Sequence, residues 1–341
     1  MFAVFDLLIN QVNHQRIEAL IRARGVTINS NRDTLATLQS LGATPEILRA
    51  VRACREGTVD TGSPVVKKHA AYVEQDYRAR LRRDPGNWAV RYALGYALAA
   101  QSKNAEEVAL DREWVRLEPK RALAHKALAE ALIADSEGST PSPEIIPELR
   151  KAIQLDPHDP EPHLELPLEL NDPDQIKAEF QQAILADPDC MWGYDALFGW
   201  YAGAEDWKGA VAEFRADVER TPQSAWAHEY LALALQRDQD RKAALAEFGA
   251  AVRLNPNEDD IHESYGTALL EDHDLDAAAV EFREAVRLIP GNASAHRDLA
   301  SVLLAKGDKQ AALTELKKAY PAYTDDQIQQ MSEGLEKESS R

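Results

Sequence analysis

At 341 residues the chain exceeds what one compact core usually organises, and 45% hydrophobic content with 16 Gly and 17 Pro excludes a disordered or low-complexity composition. The formal net charge of −18, from 39 Lys plus Arg against 57 Asp plus Glu, argues against nucleic acid as a partner, because phosphate binding needs a basic surface. Two cysteines, Cys54 and Cys190, without a C-x-x-C spacing, exclude a disulfide framework and a zinc knuckle.

In chain order, the N-terminal segment MFAVFDLLINQ is briefly apolar, with no basic leading segment and no A-x-A-like cleavage site. The expectation is therefore a cytoplasmic chain as written, or a periplasmic or secreted one if a signal sequence precedes it. Apolar spacing predicts a helix to about Arg24, a break at Gly25, a second helix near 33–41, a break at Gly42 and a third helix after Thr44-Pro45. The Arg-Gly-Val turn followed by Leu-x-x-Leu-x-x-Leu-Gly-Ala and a Leu-rich helix resembles a small helical module of bacterial multidomain proteins. Residues 1–55 are assigned to this three-helix module and 56–64, EGTVDTGSP, to a linker. Residues 65–87 are expected to hold a lead-in helix. The first 85 residues carry 13 basic and 9 acidic groups, which leaves 26 basic and 48 acidic groups beyond them and makes the rest of the chain strongly acidic.

From there the sequence repeats. Pro85, Pro119, Pro157, Pro188, Pro222, Pro256 and Pro290 are spaced by 34, 38, 31, 34, 34 and 34 residues. Leu197, Leu231, Tyr265 and Leu299 keep the same beat, as do Ala210, Ala244, Ala278 and Ala312, and Phe214, Phe248, Phe282 and Leu316. Within one period, AHEYLALALQ, RDQD and RKAALAEFGAAVRL read as two helices joined by a polar turn. The proline then stops the second helix. A small residue follows a large apolar one at Gly95, Ala129, Gly266 and Ala300, which lets two helix backbones approach closely.

These columns resemble the tetratricopeptide repeat (TPR) family. The resemblance implies an all-α, TPR-type α-solenoid, a right-handed superhelix of helical hairpins, with seven repeats over 88–323: 88–121, 122–159, 160–190, 191–224, 225–258, 259–292 and 293–323. Residues 324–341 then supply a capping helix and tail, which the last repeat of a stack needs. Two repeats depart from the pattern. The run DSEGSTPSPE lengthens the turn of 122–159, and Pro160, Pro162 and Pro167 predict a short or kinked first helix in 160–190. Asp217 stands where the family has alanine.

No catalytic or metal motif is expected. His125, His163, His228, His262 and His296 recur at the fourth position of their repeats, too far apart to share one ion. His228-Glu229 and His262-Glu263 begin like H-E-x-x-H but continue to Ala232 and Gly266. Asp272 to Asp276 alternates acids like a calcium loop, but Ala277 replaces its glycine and Arg283 its bidentate Glu. G-x-S-x-G, Walker A and G-x-G-x-x-G sequences are absent, so neither catalysis nor a cofactor is expected.

Surface recognition remains. The resemblance places the second, fifth, ninth, twelfth and thirteenth residues of each repeat on a concave groove: Tyr92, Tyr96, Lys126, Glu130, Leu164, Trp192, Asp195, Trp226, Glu229, Leu233, Arg237, Glu263, Glu271 and Arg297. Aromatics and arginine dominate binding energy at interfaces, so these are the expected anchors, although Trp192 and Trp226 also suit packing between repeats. Tyr92 and Tyr96 stand where some family members carry a Lys and Asn clamp for a C-terminal carboxylate, so that clamp is not expected. The expectation is a non-enzymatic scaffold for a neutral or basic protein or peptide, with no nucleic acid and no membrane insertion. Self-association into a homo-oligomer and service as the regulatory subunit of a separate enzyme are the alternatives.

Overall fold

The structure, a computed structural model, describes residues 64–136 and 140–339. The expected three-helix module at 1–55 and most of the linker lie outside the described residues. The chain divides into two compact units, Met1–Glu179 and Phe180–Arg341. Every described regular element is helical, giving an all-α solenoid of helical hairpins.

In the N-terminal unit, α1 (Pro64–Arg83) precedes the hairpin of α2 (Trp88–Ala99) and α3 (Asn104–Leu117), then α4 (Ala122–Asp135) and α5 (Ile145–Leu155). The next first helix, α6 (Glu161–Glu165), lasts five residues and runs into a 3-10 turn, Leu166–Glu169. Pro162 and Pro167 fall there, and proline cannot donate to the ladder that would extend the helix. Tyr92, Trp114, Ala124 and Ala127 form one buried cluster, and Val108, Leu128, Leu132, Ile145, Leu149 and Leu166 another. Helix α7 (Pro173–Ala186) spans the division between the units.

The C-terminal unit repeats one design three times and closes with a fourth pair. Its helices are α8 (Met191–Ala204) and α9 (Trp207–Arg220), α10 (Ala225–Arg237) and α11 (Arg241–Leu254), α12 (Asp259–Glu271) and α13 (Leu275–Leu288), and α14 (Ala293–Ala305) and α15 (Lys309–Ala319). Phe214, Phe248, Phe282 and Leu316, one per second helix, are fully buried. Helix α16 (Asp325–Ser339) lays Ile328 into the last hairpin's core. The residues before the prolines, Thr221, Asn255 and Ile289, have left helical geometry with ψ of 68°, 82° and 90°, as a following proline demands.

The turns inside the hairpins also share a register. Ser102, Glu205, Gln239, His273 and Gly307, the fifteenth residue of their repeats, all take positive φ, between 53° and 81°. In the C-terminal unit an Asp follows each and caps the second helix, as Asp240 Oδ1 does in accepting from Ala243 N at 3.2 Å and Asp274 Oδ1 from Ala277 N at 3.1 Å.

Candidate binding surface

What sets the first helices in place is a clip built on the recurring histidine. In α10, His228 Nδ1 lies 2.6 Å from Glu247 Oε2 of the second helix, and Nε2 lies 3.3 Å from the Pro222 carbonyl before the repeat. His262 bonds Glu281 and Pro256 at 2.7 and 3.2 Å, and His296 bonds Glu315 and Pro290 at 2.6 and 3.1 Å. His125 does the same with Glu148 and Pro119, and His163 meets Glu179. At His262 the two acceptors facing one ring are both satisfied only by an imidazolium, since a neutral ring donates once. The five histidines are therefore structural ties between a first helix and its own second helix, in four cases reaching the preceding loop as well.

Burial works against charging His262, but the bonds to Glu281 and Pro256 outweigh it and its pKa is raised. Burial also raises Glu229 to about 7, Glu107 to about 7 and Asp217 to about 6. A raised folded pKa contributes stability that is fully present below the unfolded value and is lost as pH rises through the folded one. Glu74 runs the other way: burial opposes ionisation, but Lys103, Gln101 and Arg78 bring it down to about 2. Its contribution is lost only as pH falls below the ordinary carboxylate range. The melting temperature should therefore be several degrees higher at pH 5.5 than at pH 8.5. Because these groups are buried, the difference should survive 0.5 M NaCl, which screens surface repulsion. A flat profile in high salt would refute the assignment.

Four of the residues expected at the surface meet in one place. Leu233 and Arg237 of α10 and Glu263 and Glu271 of α12 line a groove of about 520 Å³, together with Phe198, Gln236, Gln239, Ser264 and Thr267. The Arg237 guanidinium lies 5.6 Å above the Trp207 ring, which fixes it at the groove wall. Gln236 Nε2 donates to Glu271 Oε2 at 2.5 Å, and Asn292 Nδ2 donates to Glu263 Oε2 at 3.0 Å.

Other expected residues are placed differently. Tyr92, Lys126 and Glu229 are buried, at 4%, 1% and 3% exposure, so they do not present a surface. Tyr92 packs on Tyr96 and Trp114, Lys126 Nζ donates to Asp159 and Glu161 at 2.9 and 2.6 Å, and Glu229 accepts from Ser264 Oγ at 2.8 Å. Tyr96, Glu130 and Leu164 are half-buried in the N-terminal unit. Trp192 is half exposed, whereas Trp226 packs against Ala225, Ala251 and Ile261. Asp195 accepts from Tyr230 OH at 3.3 Å, and exposed Arg297 pairs with neighbouring Asp298.

Thr267 and Gln236 hold the ninth and twelfth positions and were within reach of the register. Phe198 was not. It occupies the eighth position, where five of the other six repeats carry Gly or Ala, and its ring packs on Trp207, Phe214 and Tyr230 while lining the groove. Asp217 gains a partial account: it is buried, with Oδ1 accepting from Arg220 Nη1 at 2.7 Å.

The hairpins, their register and the small-residue contacts define an α-solenoid of the repeat type. Two family models described as tetratricopeptide repeat match residues 74–122 and 231–293, and 269–332. These matches support assigning the repeat region to the tetratricopeptide repeat family. The crystal structure of yeast Tom70 is similar over 93% of this chain and 66% of its own, with 17% identity and a TM-score of 0.55. The match thus spans just under two thirds of Tom70. Pseudomonas aeruginosa pilF matches at 18% identity over 61% of this chain and 96% of its own, with a TM-score of 0.43. YrrB, described as a TPR protein with an unusual peptide-binding site, matches at 21% identity over 55% and 97%, with a TM-score of 0.39. No curated protein matches the chain. Among the described residues, no helix is long and apolar enough to cross a membrane.

Proposed function

We propose that this chain is a non-enzymatic scaffold that holds a segment of a partner protein against its first helices. A TPR fold implies protein partners, and the observation that carries the finer reading is the groove between α10 and α12. There an apolar floor, Phe198 and Leu233, lies beside oriented charges, Arg237, Glu263 and Glu271. Such a surface offers burial for an anchor side chain and fixed partners that set its register. The acidic excess of the repeat region favours a neutral or basic segment.

The test compares three forms of the full chain as bait in an extract of the producing organism: the intact protein, a groove variant (Leu233→Ala, Arg237→Glu, Glu271→Lys) and a control reversed on exposed second-helix lysines (Lys242→Glu, Lys309→Glu). Matching helical circular dichroism is checked first. Polypeptides held by the intact and control forms and depleted at least ten-fold by the groove variant are the expected result. Equal retention by all three would sink the reading.

A further inference from the structure

The chain carries the same site twice, once filled by its own lysine and once not. Lys126 follows His125, as Glu229 follows His228, so the two side chains hold equivalent positions in their repeats. Asp159 and Glu161 precede His163 by four and two residues, as Glu258 and Asp260 precede His262. In the N-terminal unit the Lys126 ammonium is 1% exposed and lies between Asp159 Oδ2 and Glu161 Oε2, at 2.9 and 2.6 Å. In the C-terminal unit the acids are kept, but the lysine position holds a third carboxylate.

That carboxylate is incompletely satisfied. Glu229 is 3% exposed, and while Oε1 accepts from Ser264 Oγ, Oε2 is buried with no hydrogen-bond partner. Glu258 and Asp260 raise its charge cost further, and Tyr230 beside it on α10 is engaged with Asp195 of α8. The carboxylate atoms of Glu258, Asp259 and Asp260 lie within 4.8 Å of one another. Asp259 and Asp260 also favour the helix start, and Asp259 accepts from Asn292 Nδ2 at 3.1 Å. Helix capping accounts for acids at the start of α12 but not for a buried carboxylate one helix away with an oxygen left over. An unpaired buried acceptor is costly, and a cation supplied from outside would relieve it. In the neighbouring repeat, Glu263 has that relief from Asn292. Ser264, which holds Glu229, also lines the groove, so one hydroxyl separates the buried carboxylate from it.

We propose that Glu229, with Glu258 and Asp260, is a subsite for a lysine side chain of the partner segment, which takes the place that Lys126 fills internally in the other unit. This rests on the reading of the first-helix surface as the partner-binding face. Lysine suits the cradle because its own pattern elsewhere in this chain is a compact ammonium between two carboxylates, and its flexible stem can run over Leu233.

The probe is n-butylammonium, the lysine side chain without its backbone, added to the full chain while the Glu229 carboxyl is followed by NMR across pH, assigned with Glu229→Gln. At 50 mM it should lower the Glu229 midpoint by one unit or more, a ten-fold preference for the ionised form, while 1-butanol leaves it unmoved. No shift, or a larger one with calcium chloride at equal concentration, would overturn the proposal. The second arm is Glu229→Lys. If the cradle fits an ammonium, this variant melts at or above the temperature of Glu229→Gln and no longer responds to n-butylammonium. A melting temperature well below that of Glu229→Gln would overturn the proposal as well. Partner capture separates the two readings: loss in the groove variant with full retention by Glu229→Lys rejects the lysine subsite alone, whereas retention by the groove variant rejects the scaffold reading.

Discussion

Replacing Lys126 by methionine should lower the stability of the N-terminal unit by about 3–5 kcal/mol at pH 7.5, the usual cost of removing one partner from a buried ion pair. The methionine fills most of the lysine's volume, so the loss would come from the carboxylates of Asp159 and Glu161, left facing each other without a cation. Glu165 beside them is already pushed up, first by burial and then by Glu161, and Lys126 is what holds it down. With no ammonium to offset it, the repulsion among these acids should ease as pH falls towards 5, so the penalty should shrink. Urea unfolding, with hydrogen exchange in α4 to localise the effect, measures it. Adding Asp159→Asn and Glu161→Gln to the variant should recover most of the loss. A deficit that is independent of pH would mean that packing, not charge, sets the role of Lys126.

The second large effect is expected at Gly266, where alanine should cost about 1–3 kcal/mol although alanine is the better helix former by about 1 kcal/mol. A Cβ there would stand 2.9 to 3.0 Å from three ring carbons of Phe282, which is fully buried and cannot swing away. Gly95 holds the same position in its own repeat, yet a Cβ would meet only Glu107 Oε1, at 3.8 Å. Gly95→Ala should therefore be neutral or raise the melting temperature slightly. Thermal melts of the two variants decide the matter. If both alanines behaved alike, the close approach of α12 to Phe282 would not be the reason for the glycine.

That pair shows what the sequence could and could not reveal. Proline spacing and the columns of Ala and Phe located the hairpins, because chain termination and close packing leave a mark at every repeat. The same columns gave Gly95 and Gly266 one role, whereas only the ring of Phe282 makes the second indispensable. Site residues were less legible for a related reason. The fifth position reaches the next repeat, or the residue just before it, at Lys126, Asp195, Glu229 and Glu263, but what it meets there is set by that stretch of chain. Lys126 finds two acids, Glu263 finds an amide, and Glu229 finds acids of its own sign. Position therefore fixed direction without fixing exposure, and three expected surface residues lie buried. Phe198 broke the small-residue column, a departure visible in the sequence whose consequence, an aromatic groove floor, needed the neighbouring helices.

The left-handed turns carry a further consequence. An L-residue in that conformation costs about 1–2 kcal/mol relative to glycine, and Ser102, Glu205, Gln239 and His273 all accept it, while Gly307 does not incur it. Gln239 at the same time lines the groove. The hairpin tips are thus a dial for local stiffness that is separate from the core. A glycine at any of these positions would ease its turn, and at Gln239 alone it would also erase part of the rim that an incoming chain passes on its way in.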